Sequence, residues 1–114
     1  MTLKTLKKRS DFVKIQNTGM HQATRFFVLK ALHHQEDAPD IFFGLVASRK
    51  LGNAVERNRA KRRLRSALQE VLNAHGKIGW AYVFIARKAV LTGDFQDLKN
   101  HLSVSIQKVH KDPA

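Results

Sequence analysis

The sequence has its highest density of charged side chains in a basic run between residues 49 and 65. Eight Lys and Arg side chains stand there against the single acid Glu56, so the run carries +7 of the chain's formal net charge of +12. Six of the eight are arginines. A planar guanidinium donates two parallel hydrogen bonds to a phosphate and also stacks on a base. The run therefore predicts a surface that binds nucleic acid. Its basic members are Arg49, Lys50, Arg57, Arg59, Lys61, Arg62, Arg63 and Arg65.

Side chains that could perform catalysis are not gathered anywhere along the sequence. A nuclease that works alone needs clustered carboxylates to hold two metal ions, and the nine Asp and Glu residues are scattered. The chain has no cysteine, and its six histidines lack the helical pairing of a zinc hydrolase. We therefore predict no catalytic residue in the protein itself and leave the position of any metal ion open.

The size and composition indicate one domain over residues 1–114, with flexible tails at about 1–8 and 110–114. A hydrophobic content of 43% suffices for a modest core, and the pI of about 10.6 suits a polyanionic partner. No apolar run approaches the roughly 18 to 20 residues of a membrane-spanning helix. The charged N-terminus has no apolar segment after it, unlike a secretory signal. We expect a cytoplasmic protein with no membrane partner, in agreement with the lack of cysteine.

The basic run is predicted to begin a long helix. Asn53 and Glu56 have the spacing of a capping box, and the apolar residues that follow form one helical stripe. At about 100° per residue, Asn58, Arg62 and Arg65 fall opposite that stripe, while Arg59 and Arg63 lie on a flank. Arg57 and Lys61 fall on the stripe itself, so we expect them to point towards the sheet or a cleft beside it. The stripe consists of Ala60, Leu64, Ala67, Leu68, Val71 and Leu72.

The remaining elements place this helix in an α+β layer domain. Ser10 suits the N-cap of a short first helix, which Gly19 ends. Phe95 is expected to pack into the core from the last helix, which spaces its apolar residues by three and four. The predicted helices cover residues 10–17, the stretch from 53 onwards, and 94–109, and the predicted strands cover residues 24–32, 41–48 and 80–86.

The sequence resembles the bacterial ribonuclease P protein family. The run Ser48–Arg65 is similar to that family's basic signature, and Arg57-Asn58-Arg59 matches its RNR motif. The likeness extends along most of the chain. Outside the signature it includes Leu6-Lys7-Lys8-Arg9-Ser10-Asp11-Phe12, Gly19, Phe27-Val28-Leu29, Gly44-Leu45-Val46 and Ile85-Ala86-Arg87.

The resemblance implies a fold and a division of labour. The fold would be an α-β sandwich of ribosomal-protein-like type, ordered α-β-β-(β)-α-β-α, with a left-handed βαβ crossover through the basic helix. The partners would be the catalytic ribonuclease P RNA and the 5′ leader of precursor tRNA. That RNA, with bound Mg²⁺, would cut the phosphodiester and leave a 5′ phosphate on mature tRNA. The protein would bind no cofactor of its own and need no obligate protein partner.

The resemblance also assigns roles to particular residues. Gln16 and Lys30 stand where related proteins often carry aromatic residues, so this chain is expected to hold the leader more by charge than by stacking. Phe12 would line the leader cleft, although packing in the core remains an alternative for it. The predicted RNA-binding residues are Arg49, Lys50, Asn53, Arg57, Asn58, Arg59, Lys61, Arg62 and Arg65. The predicted leader-cleft residues are Phe12, Lys30, Arg57 and Lys61.

Other functions remain open at this point. A ribosomal protein or an RNA chaperone would have the same composition and fold class, so only the RNR signature separates them from the family named above. A DNA-binding helix-turn-helix is disfavoured because no second helix lies close enough to the basic one.

Overall fold

The computed structural model describes residues 2–35 and 38–111. The order of its elements confirms the predicted single-domain α+β class. None of the described helices is long and apolar enough to cross a membrane. The strands are β1 (Thr2–Thr5), β2 (Met20–Ala23), β3 (Phe27–His33), β4 (Asp40–Val46) and β5 (Trp80–Ala86), and the helices are α1 (Arg9–Thr18), α2 (Ala54–His75) and α3 (Phe95–Lys111), with a short 3₁₀ helix at Lys88–Leu91.

The five strands form one mixed sheet in the order β1-β4-β5-β3-β2. β4 is parallel to both of its neighbours, β1 and β5, whereas β3 is antiparallel to β5 and β2. The parallel strands β4 and β5 are joined through α2, so the basic helix forms the βαβ crossover that the family resemblance implies. The left hand of that crossover stays a prediction.

The helices cover the two sides of the sheet unequally. α2 and α3 pack on one side, where the buried cluster includes Phe27, Leu29, Tyr82 and Phe84. α1 packs alone on the other side, over a smaller buried cluster that contains Ile15 and Val83. Because a ten-residue helix cannot cover five strands, part of that second side stays open to solvent.

The first strand corrects the predicted flexible tail at residues 1–8. Thr2–Thr5 forms β1, which pairs in parallel with β4 from Thr2 opposite Asp40 to Thr5 opposite Phe43. The side chain of Lys4 also forms a 3.1 Å ion pair with Asp40. Because these partners are distant in sequence, no local sequence pattern predicts β1. At the other end, residues 110 and 111 belong to α3, and residues 112–114 lie outside the described part of the chain.

The first helix and the hairpin after it also differ from their predicted bounds. α1 begins at Arg9 after Lys8, with no side-chain cap, so Ser10 is not the N-cap, while Gly19 does end the helix. The predicted strand over 24–32 starts only at residue 27, because the hydroxyl of Thr24 accepts hydrogen bonds from the N–H groups of Phe26 and Phe27 and forms a tight turn. The four residues before that turn form β2.

The later elements follow the sequence patterns closely. β5 occupies residues 80–86 as predicted, and the capping box of Asn53 with Glu56 at the start of α2 is present. The last helix begins after Asp94, whose carboxylate accepts a hydrogen bond from the N–H of Asp97 at 3.0 Å. Phe95 corrects an expectation, since its side chain is 39% exposed and does not pack into the core.

Candidate nucleic-acid interface

Helix α2 turns its apolar stripe into the core and most of its charge outwards. Ala60 and Leu64 are fully buried against the sheet, and Leu68 is 1% exposed. The residues predicted to lie opposite this stripe, together with Arg59, are exposed. A rigid helix therefore presents several guanidinium groups to solvent on one surface, where they could bind a chain of phosphates without any rearrangement of the fold. The exposed set is Asn58, Arg59, Arg62 and Arg65.

Arg57 and Lys61 lie where the helical geometry predicts them, at the edge of the stripe. Both are partly buried, and with Ala47, Ala54 and Asn58 they line a cavity of about 190 Å³. The Nε atom of Arg57 is buried and has no hydrogen-bond partner among the described residues. A buried donor left unpaired costs about 1–3 kcal/mol. The cavity therefore lacks an acceptor, and a phosphate oxygen would supply one.

Arg63 has a different environment, although it belongs to the same basic run. Its guanidinium donates a hydrogen bond to the carbonyl oxygen of Gly93 and lies 5.7 Å from the ring centroid of Phe95. Gly93 precedes α3 and Phe95 is its first residue, while the Nε atom of Arg63, like that of Arg57, is buried without a hydrogen-bond partner among the described residues. Arg63 therefore ties α2 to α3 and is less available to a ligand than its exposed neighbours.

The loop before α2 holds the other predicted basic residues. Arg49 and Lys50 are exposed, whereas Leu51 is only 4% exposed and anchors the loop to the core. Asn53 accepts the N–H of Glu56 at 2.9 Å, and the carboxylate of Glu56 accepts the N–H of Asn53 at 3.0 Å. The side chain of Asn53 is thus engaged in the predicted capping box, and its RNA-binding role stays a prediction.

A cleft lies on the opposite side of the sheet, between α1 and the end of β4. Its volume is about 480 Å³. The α1 residues that line it are spaced by three, one and three, so they form one stripe of the helix. Two of the lining side chains are cations, and three are apolar. The lining residues are Lys7, Arg9, Phe12, Val13, Gln16 and Val46.

Phe12 has both of the environments that the sequence left open for it. Its ring rests against the backbone of Gly44, where a Cβ atom would collide with the ring, so a larger residue at position 44 would require the ring to move. The same ring is only partly buried and lines the cleft. One face of Phe12 therefore packs on the sheet while the rest of the ring remains available for stacking on a ligand.

The cleft and the Arg57 cavity are lined by successive residues at the end of β4. Val46 lines the cleft, and the next residue, Ala47, lines the cavity. Since successive residues of a strand point to opposite faces of the sheet, these two residues mark the place where the open side of the sheet adjoins the start of α2. A single extended ligand could pass from one to the other.

Comparison with known proteins shows which family the chain belongs to. A family model described as Ribonuclease P matches residues 2–110. The chain belongs to the ribonuclease P protein family. It is 38% identical to the ribonuclease P protein component of Ruegeria pomeroyi over an alignment of 109 residues. The alignment covers 95% of this chain and 87% of that protein. The corresponding protein of Streptococcus thermophilus is also 38% identical over 109 residues, with 94% and 95% covered.

Solved structures of ribonuclease P proteins share the fold. The Staphylococcus aureus protein superimposes with a TM-score of 0.73 at 30% identity and covers 94% of each chain. The Thermotoga maritima protein gives a TM-score of 0.77 at 26% identity, with 91% of this chain and 96% of that chain covered. The chain is therefore the protein subunit of ribonuclease P, an endoribonuclease of tRNA processing. The alternatives of a ribosomal protein and an RNA chaperone are set aside.

The structure of this ribonuclease P protein groups the predicted leader residues only in part. Phe12 lines the α1 cleft, and Arg57 and Lys61 line the adjoining cavity. Lys30 does not line either, because it lies on β3 with its Nζ 3.4 Å from Nδ1 of His21. α1 packs over β3 and β5, and the cleft lies beside β4. Lys30 is therefore not among the residues that line these two surfaces, and its role in holding the leader stays a prediction.

Two cations of the cleft were not among the predicted site residues. Lys7 and Arg9 entered the sequence analysis only through the charge of the N-terminus and the segment Leu6–Phe12 that resembles the family, without a role in the site. The helical spacing of Arg9 and Phe12 was a signal that could have found one of them. In the described part of the chain, no three His, Asp or Glu side chains approach closely enough to hold a metal ion.

Proposed function

We propose that this protein assists a catalytic RNA without contributing chemistry itself, holding that RNA with α2 and the 5′ leader of precursor tRNA in the α1 cleft. The observation that carries the proposal is a pair of basic concave surfaces lined by the successive residues Val46 and Ala47, one of which contains the unpaired Nε of Arg57. This arrangement suits two RNA chains that come together at one edge of the sheet.

The exposed face of α2 suits the RNA subunit. A structured RNA presents rows of phosphates, and the guanidinium groups of Arg59, Arg62 and Arg65 project from a helix that the core holds rigid. Arg49 and Lys50 extend this surface from the preceding loop. Neutralising phosphates here would let the folded RNA and the precursor approach each other at a lower Mg²⁺ concentration.

The α1 cleft suits a single strand rather than a duplex. Phe12 offers part of its ring to a base, while Lys7 and Arg9 offer charge to the phosphates on either side of it. Stacking of a base on an aromatic ring tolerates any base, so this cleft would accept leaders of different sequence. Only precursor tRNA has a leader, and mature tRNA would therefore gain nothing from the cleft.

The cavity of Arg57 and Lys61 lies at the junction between these two surfaces. A phosphate there would accept the unpaired Nε–H of Arg57 and neutralise two partly buried cations. Such a phosphate would belong to the leader as it leaves the cleft or to the RNA subunit beside it. In both cases Arg57 positions RNA and does not react with it.

Mg²⁺ held by the RNA subunit would supply the chemistry of phosphodiester hydrolysis. Among the described residues, no three His, Asp or Glu side chains lie close enough to hold a metal ion. In this proposal the protein binds and orients the two RNA molecules. The proposal places the protein in the cytoplasm, where it would meet precursor tRNA.

Reconstitution tests the proposal. The purified chain is mixed with a bacterial ribonuclease P RNA at low Mg²⁺, and cleavage of a precursor tRNA is compared with that by each component alone. We expect cleavage at the mature 5′ end only in the mixture. Cleavage by the RNA-free protein would contradict the non-catalytic role. A silent mixture in which the protein still binds RNA tightly would favour a general RNA-binding module.

A further inference from the structure

A second groove lies between the edge strand β2 and helix α3. Its volume of about 490 Å³ matches that of the α1 cleft. The strand wall and the turn after it contribute Gln22, Thr24 and Arg25, and the helix wall contributes His101, Val104 and Lys108. α3 packs on the same side of the sheet as α2 and opposite α1. The groove is therefore separate from the leader cleft.

The groove carries a positive charge at each end. His101, Val104 and Lys108 form one stripe of α3. Arg25 lies near the start of that helix, 3.9 Å from the carboxylate of Asp97, and Lys108 lies near its end. From residue 97 to residue 108 the helix rises about 16 Å, which matches four to five stacked nucleotides at about 3.4 Å each.

The charges of the groove have few partners within the protein. No carboxylate is among the described residues that line it. The side chain of Arg25 is 62% exposed, its contact with Asp97 is long for an ion pair, and its guanidinium lies over the ring of Phe26 at 4.6 Å from the centroid, whereas Lys108 has no ion pair with a described residue. The groove therefore has two cations and an imidazole, with the carboxylate of Asp97 beside its Arg25 end, and this excess of positive charge suits a chain of phosphates.

The middle of the groove has an exposed apolar side chain on α3 and an outward-facing backbone N–H on β2. Val104 is 49% exposed, a large apolar side chain next to the ring of His101, which itself packs edge-on against Phe26 with ring centroids 5.0 Å apart. Among the described strands only β3 pairs with β2. Thr24 donates its N–H inwards to the carbonyl of Phe27, so the alternation of the strand turns the N–H of Ala23 outwards. A base against Val104 and a phosphate or hydroxyl at this edge would satisfy both features.

We propose that the groove between β2 and α3 binds a single-stranded segment of the ribonuclease P RNA subunit. The location favours the RNA subunit over precursor tRNA, because the leader cleft faces the other side of the sheet and α2 faces this one. The charge favours RNA over a protein strand added to β2, since strand addition uses backbone hydrogen bonds and has no need of a cation at both ends. The inference rests on the proposed RNA-binding role of α2.

Site-directed crosslinking tests the groove, because the chain has no cysteine of its own. Val104→Cys reports on the groove, Asn58→Cys on α2, and Ile78→Cys is the control, since Val104 and Ile78 are similarly exposed at 49% and 55%. Each variant carries a photoreactive thiol label and is assembled with the RNA subunit and precursor tRNA, of which one is radiolabelled at a time. We expect the labels at 104 and 58 to crosslink to the RNA subunit and the label at 78 to stay at background.

The other outcomes separate this inference from the proposed function. A label at 104 that stays at background while the label at 58 reacts overturns the groove and leaves the role of α2 intact. Failure of both labels overturns the proposed function together with the groove. Crosslinking from residue 104 to precursor tRNA alone overturns the assignment to the RNA subunit.

A matched pair of charge substitutions gives a second measurement. Val104→Asp places a carboxylate among the expected phosphates and should weaken binding of the RNA subunit about fivefold at low salt. Ile78→Asp adds the same charge outside the groove and should change that affinity less than twofold. Urea unfolding of both variants checks that the fold is kept. Equal losses of affinity in the two variants would refute the groove, because only net charge would then matter.

Discussion

The two sides of the sheet differ in how completely they are covered. On the side of α2 and α3, Phe27, Leu29, Tyr82 and Phe84 are all fully buried, and the outer surface of α2 carries the basic residues. On the side of α1, Ala81 and Val83 are buried, whereas the flanking apolar residues are only partly covered. The closed side supplies most of the buried core, and under the proposed function it binds RNA on its exterior. The open side would instead use its partly exposed apolar residues as part of the leader cleft.

The largest expected difference between the two sides is in their response to salt. If α2 and its surroundings contact about 6 to 10 phosphates, affinity for the RNA subunit should fall roughly 10³- to 10⁵-fold between 50 and 200 mM salt. The affinity gained from a leader, measured as the ratio between precursors with and without one, should change less, because two cations, Lys7 and Arg9, line the cleft against the larger number on α2 and the loop before it, and stacking on Phe12 is insensitive to salt. Filter binding across salt concentrations measures both. A flat response for the RNA subunit would count against an electrostatic interface on α2.

Removing a large side chain from the closed side should have the next largest effect. Phe84 is fully buried and packs edge-on against Phe27, with ring centroids 5.5 Å apart. Phe84→Ala should lower the free energy of unfolding by about 3–5 kcal/mol, measured by urea denaturation. The matched control is Phe42→Ala on the open side, where the ring is only partly buried and the loss should be clearly smaller. Similar losses would mean that both sides are equally packed.

The ring of Phe12 should matter more for the ligand than for the fold. Phe12→Ala should weaken binding of precursor tRNA by about 1–3 kcal/mol, the range for stacking of one base, and leave binding of the RNA subunit nearly unchanged. A precursor without a leader should not distinguish the variant from the natural chain. Phe95→Ala removes a ring of the same size that lies outside the cleft and serves as the control. Equal losses in both binding assays would show that Phe12 is structural.

The closed side also contains a hydrogen-bonded pair that should respond to pH. Burial raises the pKa of Tyr82 to about 12, and burial followed by the charge of Lys77 lowers the pKa of His110 to about 4. The hydroxyl of Tyr82 accepts the backbone N–H of Lys77 at 2.9 Å, so its own proton is free to go to Nε2 of His110. Neutral imidazole accepts that proton, whereas protonated imidazole has no lone pair to do so.

The sign of this pH dependence follows from the lowered pKa. The unfolded chain protonates His110 near pH 6.5 and the folded chain only near pH 4, so stability is complete above pH 6.5 and declines as the pH falls towards 4. The loss should be about 1–2 kcal/mol, after allowance for solvent near this partly exposed ring. His110→Gln keeps an acceptor without titrating and should lose less stability over this range. An identical decline in both proteins would remove His110 as its cause.

The sequence predicts best the features that depend on neighbouring residues. The capping box of Asn53 and Glu56, the buried stripe of α2 and the bounds of β5 follow from local spacing and apolar content. The partial burial of Arg57 and Lys61 agrees with the same helical geometry, although the cavity that they line also includes Asn58, which that geometry places opposite the stripe.

Features that depend on distant parts of the chain were harder to predict. β1 exists because it pairs with β4, and only one of its four residues, Leu3, is strongly apolar. β2 reads Met-His-Gln-Ala, which has little preference for a strand, and it forms because β3 is beside it. The place of Lys30 and the entry of Lys7 into the cleft depend on where α1 crosses the sheet, which no local pattern specifies.

The smallest expected effect separates two neighbouring arginines of α2. Arg62 is exposed, whereas Arg63 bonds the carbonyl of Gly93 and lies over the ring of Phe95. Arg63→Ala should lower the free energy of unfolding by about 1 kcal/mol because one partly buried hydrogen bond and its packing are lost. Arg62→Ala should leave stability within about 0.5 kcal/mol and instead weaken binding of the RNA subunit. Both substitutions remove one positive charge, so each is the control for the other in urea unfolding and in RNA binding. Indistinguishable variants in both assays would mean that the contact with Gly93 contributes nothing, and that charge alone, wherever it lies on α2, determines how this helix works.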